Sequence, residues 1–145
     1  MSATASISAA QKHLTDSSLL LEQQRFDNAA YLSGYVVECC LKALLDMDGM
    51  PSAKELGHEL ALMAGNALML GYALAPSRSR YNLVPTPDLD RLINDWKPDS
   101  RYEKENTTSQ ALAESRLKGA QAAYEQIGIA MILDGTIQTQ YEAHH

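Results

Sequence analysis

The chain is poor in the residues that staple, cofactor-binding or membrane-spanning proteins depend on. It has two cysteines, Cys39 and Cys40, and they are neighbours. Adjacent side chains of a helix diverge by about 100°, so the pair does not bridge itself, and a disulfide-stapled secreted domain is excluded. Histidine is limited to His13, His58, His144 and His145, and no zinc spacing arises from them. A Walker loop, a dinucleotide fingerprint and a nucleophile elbow are all missing. No apolar run approaches the roughly 18 residues that a bilayer span requires. The opening MSATASISAAQKH has no basic stretch followed by an apolar one, so no signal peptide is expected. Basic charge is also short: Lys and Arg number 12 against 18 Asp and Glu, a formal net charge of −6. The chain as a whole therefore does not attract nucleic acid, which would need a local basic patch or a basic partner. These absences lead to the expectation of a cytoplasmic protein with no membrane segment, no metal and no cofactor.

What is present suits one helical domain. Hydrophobic residues make up 46 % of 145 positions, enough for a single core. The aromatic content is mostly tyrosine, seven against one Trp and one Phe. Tyrosine suits half-buried helix faces and interfaces. Helical periodicity runs throughout, and no alternating strand pattern or internal repeat competes with it. A first helix is predicted through about Glu22, capped by Ser6 or Ser8, with Ile7, Ala10, Leu14 and Leu21 on one face. Arg25-Phe26-Asp27 makes a short break, with Asp27 as N-cap of a second helix to about Met47, stopped by Gly49 and Pro51. A third helix is predicted from about His58 to Met69. Pro76, Pro85, Pro87 and Pro98 break up the next stretch, with room for one short helix near Asp88 to Trp96. The last helix spans about Thr108 to Leu133, capped by Thr107, Thr108 or Ser109 and stopped by Asp134-Gly135. The expected fold class is all-α. It is an up-and-down bundle of four main helices, plus the short helix in the long loop before the last. The single domain has its core in about 5–135 and a flexible C-terminal tail, and His144 and His145 carry no functional weight.

The second helix has two faces. Ala29, Val36, Cys40 and Leu44 form its apolar stripe, with Leu32, Val37 and Leu41 at the edges. Asn28, Tyr31, Tyr35, Glu38 and Lys42 recur at spacings of 3, 4, 3 and 4, so they project from one side. Such a polar stripe lines a pocket between helices or forms an ion pair that fixes packing. The small residues Ala29, Ala30, Ser33 and Gly34 permit close helix approach and make a dimer seam plausible.

The run from Arg25 through Glu38 to Leu41-Lys42-Ala43-Leu44 resembles the signature helix of the HEPN family (higher eukaryotes and prokaryotes nucleotide-binding domain). There, a helix rich in small residues carries a Glu three positions before a Leu-Lys-Ala-Leu run. Gly57-His58-Glu59-Leu60 is similar to the Gly-His-Asp-Leu element opening that family's next helix. Trp96-Lys97-Pro98-Asp99-Ser100-Arg101-Tyr102 is similar to the segment before its last helix. The resemblance implies a helical bundle, homodimerisation and a role around nucleotides or RNA, often beside a minimal nucleotidyltransferase in a toxin–antitoxin pair. Nuclease members use an Arg followed after four to six residues by His. No histidine of this chain has an Arg at that distance upstream, so the acid–base partner of the metal-independent ribonuclease reaction is absent.

No catalytic residue is therefore assigned. The candidates for ligand binding are Arg101, Tyr102, Glu38, Lys42, Tyr31, Tyr35, Asn28 and His58. Arg101 offers a planar fork for a phosphate and Tyr102 a stacking face. Their structural alternative is a bond from Arg101 to Glu38 or Asp27 and packing of Tyr102 on the bundle. His58, at a helix start, would contact an anion or fix the helix entry. Residues 78–104 hold six of the twelve basic residues, with a local balance of +1, and Tyr81 and Trp96 could stack bases there. The expected function is a non-catalytic HEPN-like module that binds a nucleotide, RNA or a partner such as a minimal nucleotidyltransferase. The alternatives are a divergent ribonuclease toxin using Arg101, and a homodimeric assembly protein without a small-molecule ligand.

Overall fold

In the computed structural model the residues described are 2–46, 60, 64, 83–84, 86–99 and 104–137. Helix α1 spans Ala3–Glu22 and α2 spans Phe26–Asp46. The short α3 is Pro87–Asp95, and α4 is Gln110–Ala123. A π-helical stretch, Tyr124–Ile129, then continues the same rod into α5, Ala130–Leu133. The fold is all-α, and among the described residues there is no strand. None of the described helices is long and apolar enough to cross a membrane.

Helix ends follow local chemistry, sometimes not at the residue the sequence favours. Ser2, not Ser6 or Ser8, caps α1, its Oγ accepting from the Ala5 N–H at 3.1 Å. Ser6 is fully buried instead. At the other end Arg25 N–H donates to Leu20 O at 2.8 Å and Gln24 N–H to Leu21 O at 3.0 Å. That pair is a Schellman closure, with Gln24 at φ 61 where glycine is usual. Thr86 caps α3 ahead of Pro87, and Ser109 caps α4. Gly135, at φ 79, ends the last helix.

Asp27 has a different role from the N-cap expected of it. It lies in the first turn of α2, and its two carboxylate oxygens accept from the backbone N–H groups of Asn106 and, at 2.8 Å, Thr108. It thus pins the segment leading into α4. Partial burial works against the charged carboxylate, but the backbone donors of Thr108 and Asn106 outweigh it and hold the pKa below the usual value. The clamp is therefore at full strength above the ordinary carboxylate range and is lost as pH falls through the depressed pKa. Asp27→Ala should lower stability by about 1–2 kcal/mol in urea titrations at neutral pH, and the difference from wild type should shrink toward pH 3. A constant difference would show that the carboxylate charge is not involved.

Packing fixes the directions of the helices. Ser17 of α1 reaches Ala29 O at 2.7 Å and Ser33 Oγ at 2.9 Å, and His13 faces Tyr35. Numbers fall along one helix as they rise along the other, so α1 and α2 are antiparallel. Ala30 packs with Ala113, Asp27 holds Thr108, and Tyr124 lies beside Cys40, so α2 and α4 run parallel. An up-and-down bundle has this arrangement with a third long helix between the two. Most of the expected third helix, 58–69, lies outside the described residues, but Leu60 and Ala64 within it are helical and buried in the core. The core is built on Val36, Val37, Cys40, Leu41 and Leu45 of α2 with Leu89, Leu92, Ile127 and Met131, all fully buried.

Three expectations need correction. Ala29, Ala30, Ser33 and Gly34 are buried within the chain, against α1, Ala113 and Trp96, so they form no dimer seam. Trp96 is 6 % exposed and donates its Nε1–H to Tyr31 O at 3.1 Å, so its ring is part of the core and not a platform for bases. The last helix is regular only to Ala123. Its π turn brings Gly128 over the Tyr124 ring, where a Cβ would lie 2.7 Å from Cδ2.

Candidate functional site

The polar stripe of α2 does not converge on one place. Tyr31 and Tyr35, both half-buried, share a hydroxyl–hydroxyl bond of 2.9 Å and meet edge to face at 5.1 Å. Trp96 completes an aromatic triad, 5.1 Å from Tyr35. One turn on, Lys42 Nζ stands 3.5 Å from Glu38 Oε2, with side-chain exposures of 24 % and 5 %. The pair lies within α2, four residues apart, with Glu38 buried and Lys42 half-buried. Asn28 and Tyr31, at the start of the stripe, instead line a cleft. Arg101, Tyr102 and His58 lie outside the described residues.

The cleft has a volume of about 330 Å³, at the low end for small-molecule sites. Its walls come from four separate pieces of chain: the α1–α2 turn with the first turn of α2, the end of α3, the segment 104–108, and α4. Each is held in place. The Asp27 clamp fixes 104–108, and Trp96 docks the end of α3 on α2. Gly119 lets α3 approach α4 so closely that a Cβ would lie 3.0 Å from Asp88 O, and Ser115 Oγ donates to Asp88 Oδ1 at 2.6 Å.

Arg116 of α4 lines this cleft and is 8 % exposed. Among the described residues it makes no hydrogen bond and no ion pair. Burial pushes its pKa below the ordinary arginine value, Asp95 counters this, and Arg91 adds to it. A guanidinium stays charged in any such setting, and Ser6 Oγ, not an Arg116 nitrogen, is the sealed side-chain polar atom without a partner among the described residues, so the site holds a mostly buried cation whose donors open onto the cleft. Losing part of its hydration is a cost that Asp95 offsets in part and that an anion in the cleft would offset further. Lys97 and Lys104 stand exposed at the rim, and Arg25 pairs loosely with Glu105 at 3.8 Å. Asp27, the acid of the first α2 turn, is already saturated by backbone donors, while Asp95, which also lines the cleft, attracts Arg116. The arrangement favours an anion at Arg116.

Sequence reasoning passed over Arg116. The signal was there: it interrupts the face formed by Ala113, Leu117 and Ala120, three residues after the first and four before the last. No family model, no curated protein and no solved structure matches this chain.

The two thiols are not part of any site. Burial raises Cys39 to about 11 and pushes Cys40 higher still. Neither should react with a thiol-specific disulfide reagent at pH 8 in the native protein, while both should react in denaturant. Fast labelling of native protein would contradict this environment.

Proposed function

We propose that this chain is a non-catalytic HEPN-like helical module that binds a phosphate-bearing ligand, a nucleotide or an RNA, in the cleft floored by Arg116. The observation that carries the reading is the mostly buried Arg116 side chain, which makes no hydrogen bond among the described residues and lines a polar cleft with Lys97 and Lys104 exposed beside it. The all-helical fold and the Glu38–Lys42 pair support it, because they fit the helix motif shared with that family. The size of the cleft favours one nucleotide unit over a duplex.

The test is calorimetric titration of wild type and Arg116→Met with AMP and with a short single-stranded RNA. Binding by wild type and a loss of about 2–3 kcal/mol of affinity in the variant is the expected result, the value of a desolvated charge-assisted contact. The reading fails if neither ligand binds wild type, or if the variant binds as tightly.

A further inference from the structure

Resting on that reading of the cleft, we infer that the site is a two-point receptor. It takes an organic phosphate whose phosphoryl group meets Arg116 and whose flat apolar portion lies on Leu112. The two residues are four apart on α4, so they present one face to the cleft about one helical turn, some 5–6 Å, from each other. Both are lining residues of the same cavity, and they are opposite in character. Arg116 is buried and charged, while Leu112 is 39 % exposed, one of five exposed large apolar side chains among the described residues. Phe26, half-buried at the start of α2, and Ala30 line the cleft as well. The apolar end therefore has a wall on two helices, and the cationic end has Arg116 with Lys97 and Lys104.

This polarity dictates the ligand chemistry. Inorganic phosphate satisfies the guanidinium but leaves Leu112 and Phe26 in water. An uncharged aromatic molecule covers the apolar wall but brings no anion to Arg116 and strips water from it. Only a molecule carrying both groups about one helical turn apart satisfies both ends. Phenyl phosphate is the minimal probe with those features, and AMP is a biological one.

The experiment measures binding of inorganic phosphate, phenyl phosphate, AMP and adenosine to the full chain. Readouts are calorimetry and the fluorescence of Trp96, the single tryptophan, which itself lines the cleft. Phenyl phosphate and AMP should each bind at least tenfold more tightly than inorganic phosphate, and adenosine should bind more weakly than AMP by a similar factor. Leu112→Ser, at an exposed position, should erase the margin of phenyl phosphate over inorganic phosphate. Arg116→Met should weaken all three phosphates. If phenyl phosphate is no tighter than inorganic phosphate, or Leu112→Ser leaves its margin intact, the two-point inference is overturned while the anion site stands. If no phosphate binds wild type at all, the anion site falls too.

Discussion

Gly34→Ala should destabilise the protein by about 2–4 kcal/mol, although alanine is the better helix former. An ideal Cβ at this position falls against Cε2, Cδ2 and Nε1 of Trp96, well inside contact distance. The opposing side is an indole ring held by its own hydrogen bond to Tyr31 O and by edge-to-face contact with Tyr35, so it has little freedom to yield. Relief requires moving Trp96 outward, which forfeits that bond and part of the burial of the largest side chain in the protein. Expelling a core Trp altogether costs about 3–5 kcal/mol. The helix-propensity gain of about 0.5–1 kcal/mol opposes this and does not cancel it. Urea titration followed by circular dichroism gives the stability, and a red shift of tryptophan emission reports displacement of the ring. The cause is separable: in a Trp96→Leu background, adding Gly34→Ala should cost under 1 kcal/mol, because the two sites are coupled only through the ring. An equal cost in both backgrounds would mean that something other than the ring fills the space over Gly34.

The same contact marks what the sequence did and did not make readable. The helices were legible because a period of 3.6 leaves an unmistakable pattern of apolar positions, and the boundaries of α3 and the end of α5 agree closely with it. Caps were harder. Four Ser and Thr residues crowd positions 2–8, and any of them has the chemistry to cap a helix, so composition alone does not choose Ser2. The α1–α2 turn was found, but its left-handed residue is Gln24, which carries no glycine signal. Ala29, Ala30, Ser33 and Gly34 announce a close approach, and there is one. Smallness says nothing about which surface approaches, and here it is the chain's own α1, Ala113 and Trp96. The cleft was the least legible feature, because its walls are four segments spread from residue 24 to residue 116. No local pattern records that they meet. Arg116 was visible as a charge on an apolar helix face, but long basic side chains commonly reach past such faces to water. Only burial separates this arginine from those.

That burial has a consequence for stability opposite in sign to its consequence for binding. Arg116→Met should raise the stability of the ligand-free protein, by about 1–2 kcal/mol, since a mostly buried cation with no hydrogen bond among the described residues is replaced by an apolar side chain of similar length. For a chain of this size the melting temperature should rise by about 3 °C for each kcal/mol. Asp95 moderates the gain, because it favours the charged form of Arg116 and loses that neighbour in the variant. With a ligand present the order should invert. At a phosphate concentration of one hundred times its dissociation constant, wild type gains about 2.7 kcal/mol from binding, which the variant does not. Wild type should therefore melt below Arg116→Met in buffer and above it in saturating AMP. A variant that is less stable than wild type without ligand would identify Arg116 as a packing element. A variant more stable under both conditions would leave the cost of burying this charge without a function to explain it. The inversion is the signature of a residue kept for what it binds at the expense of the fold that carries it.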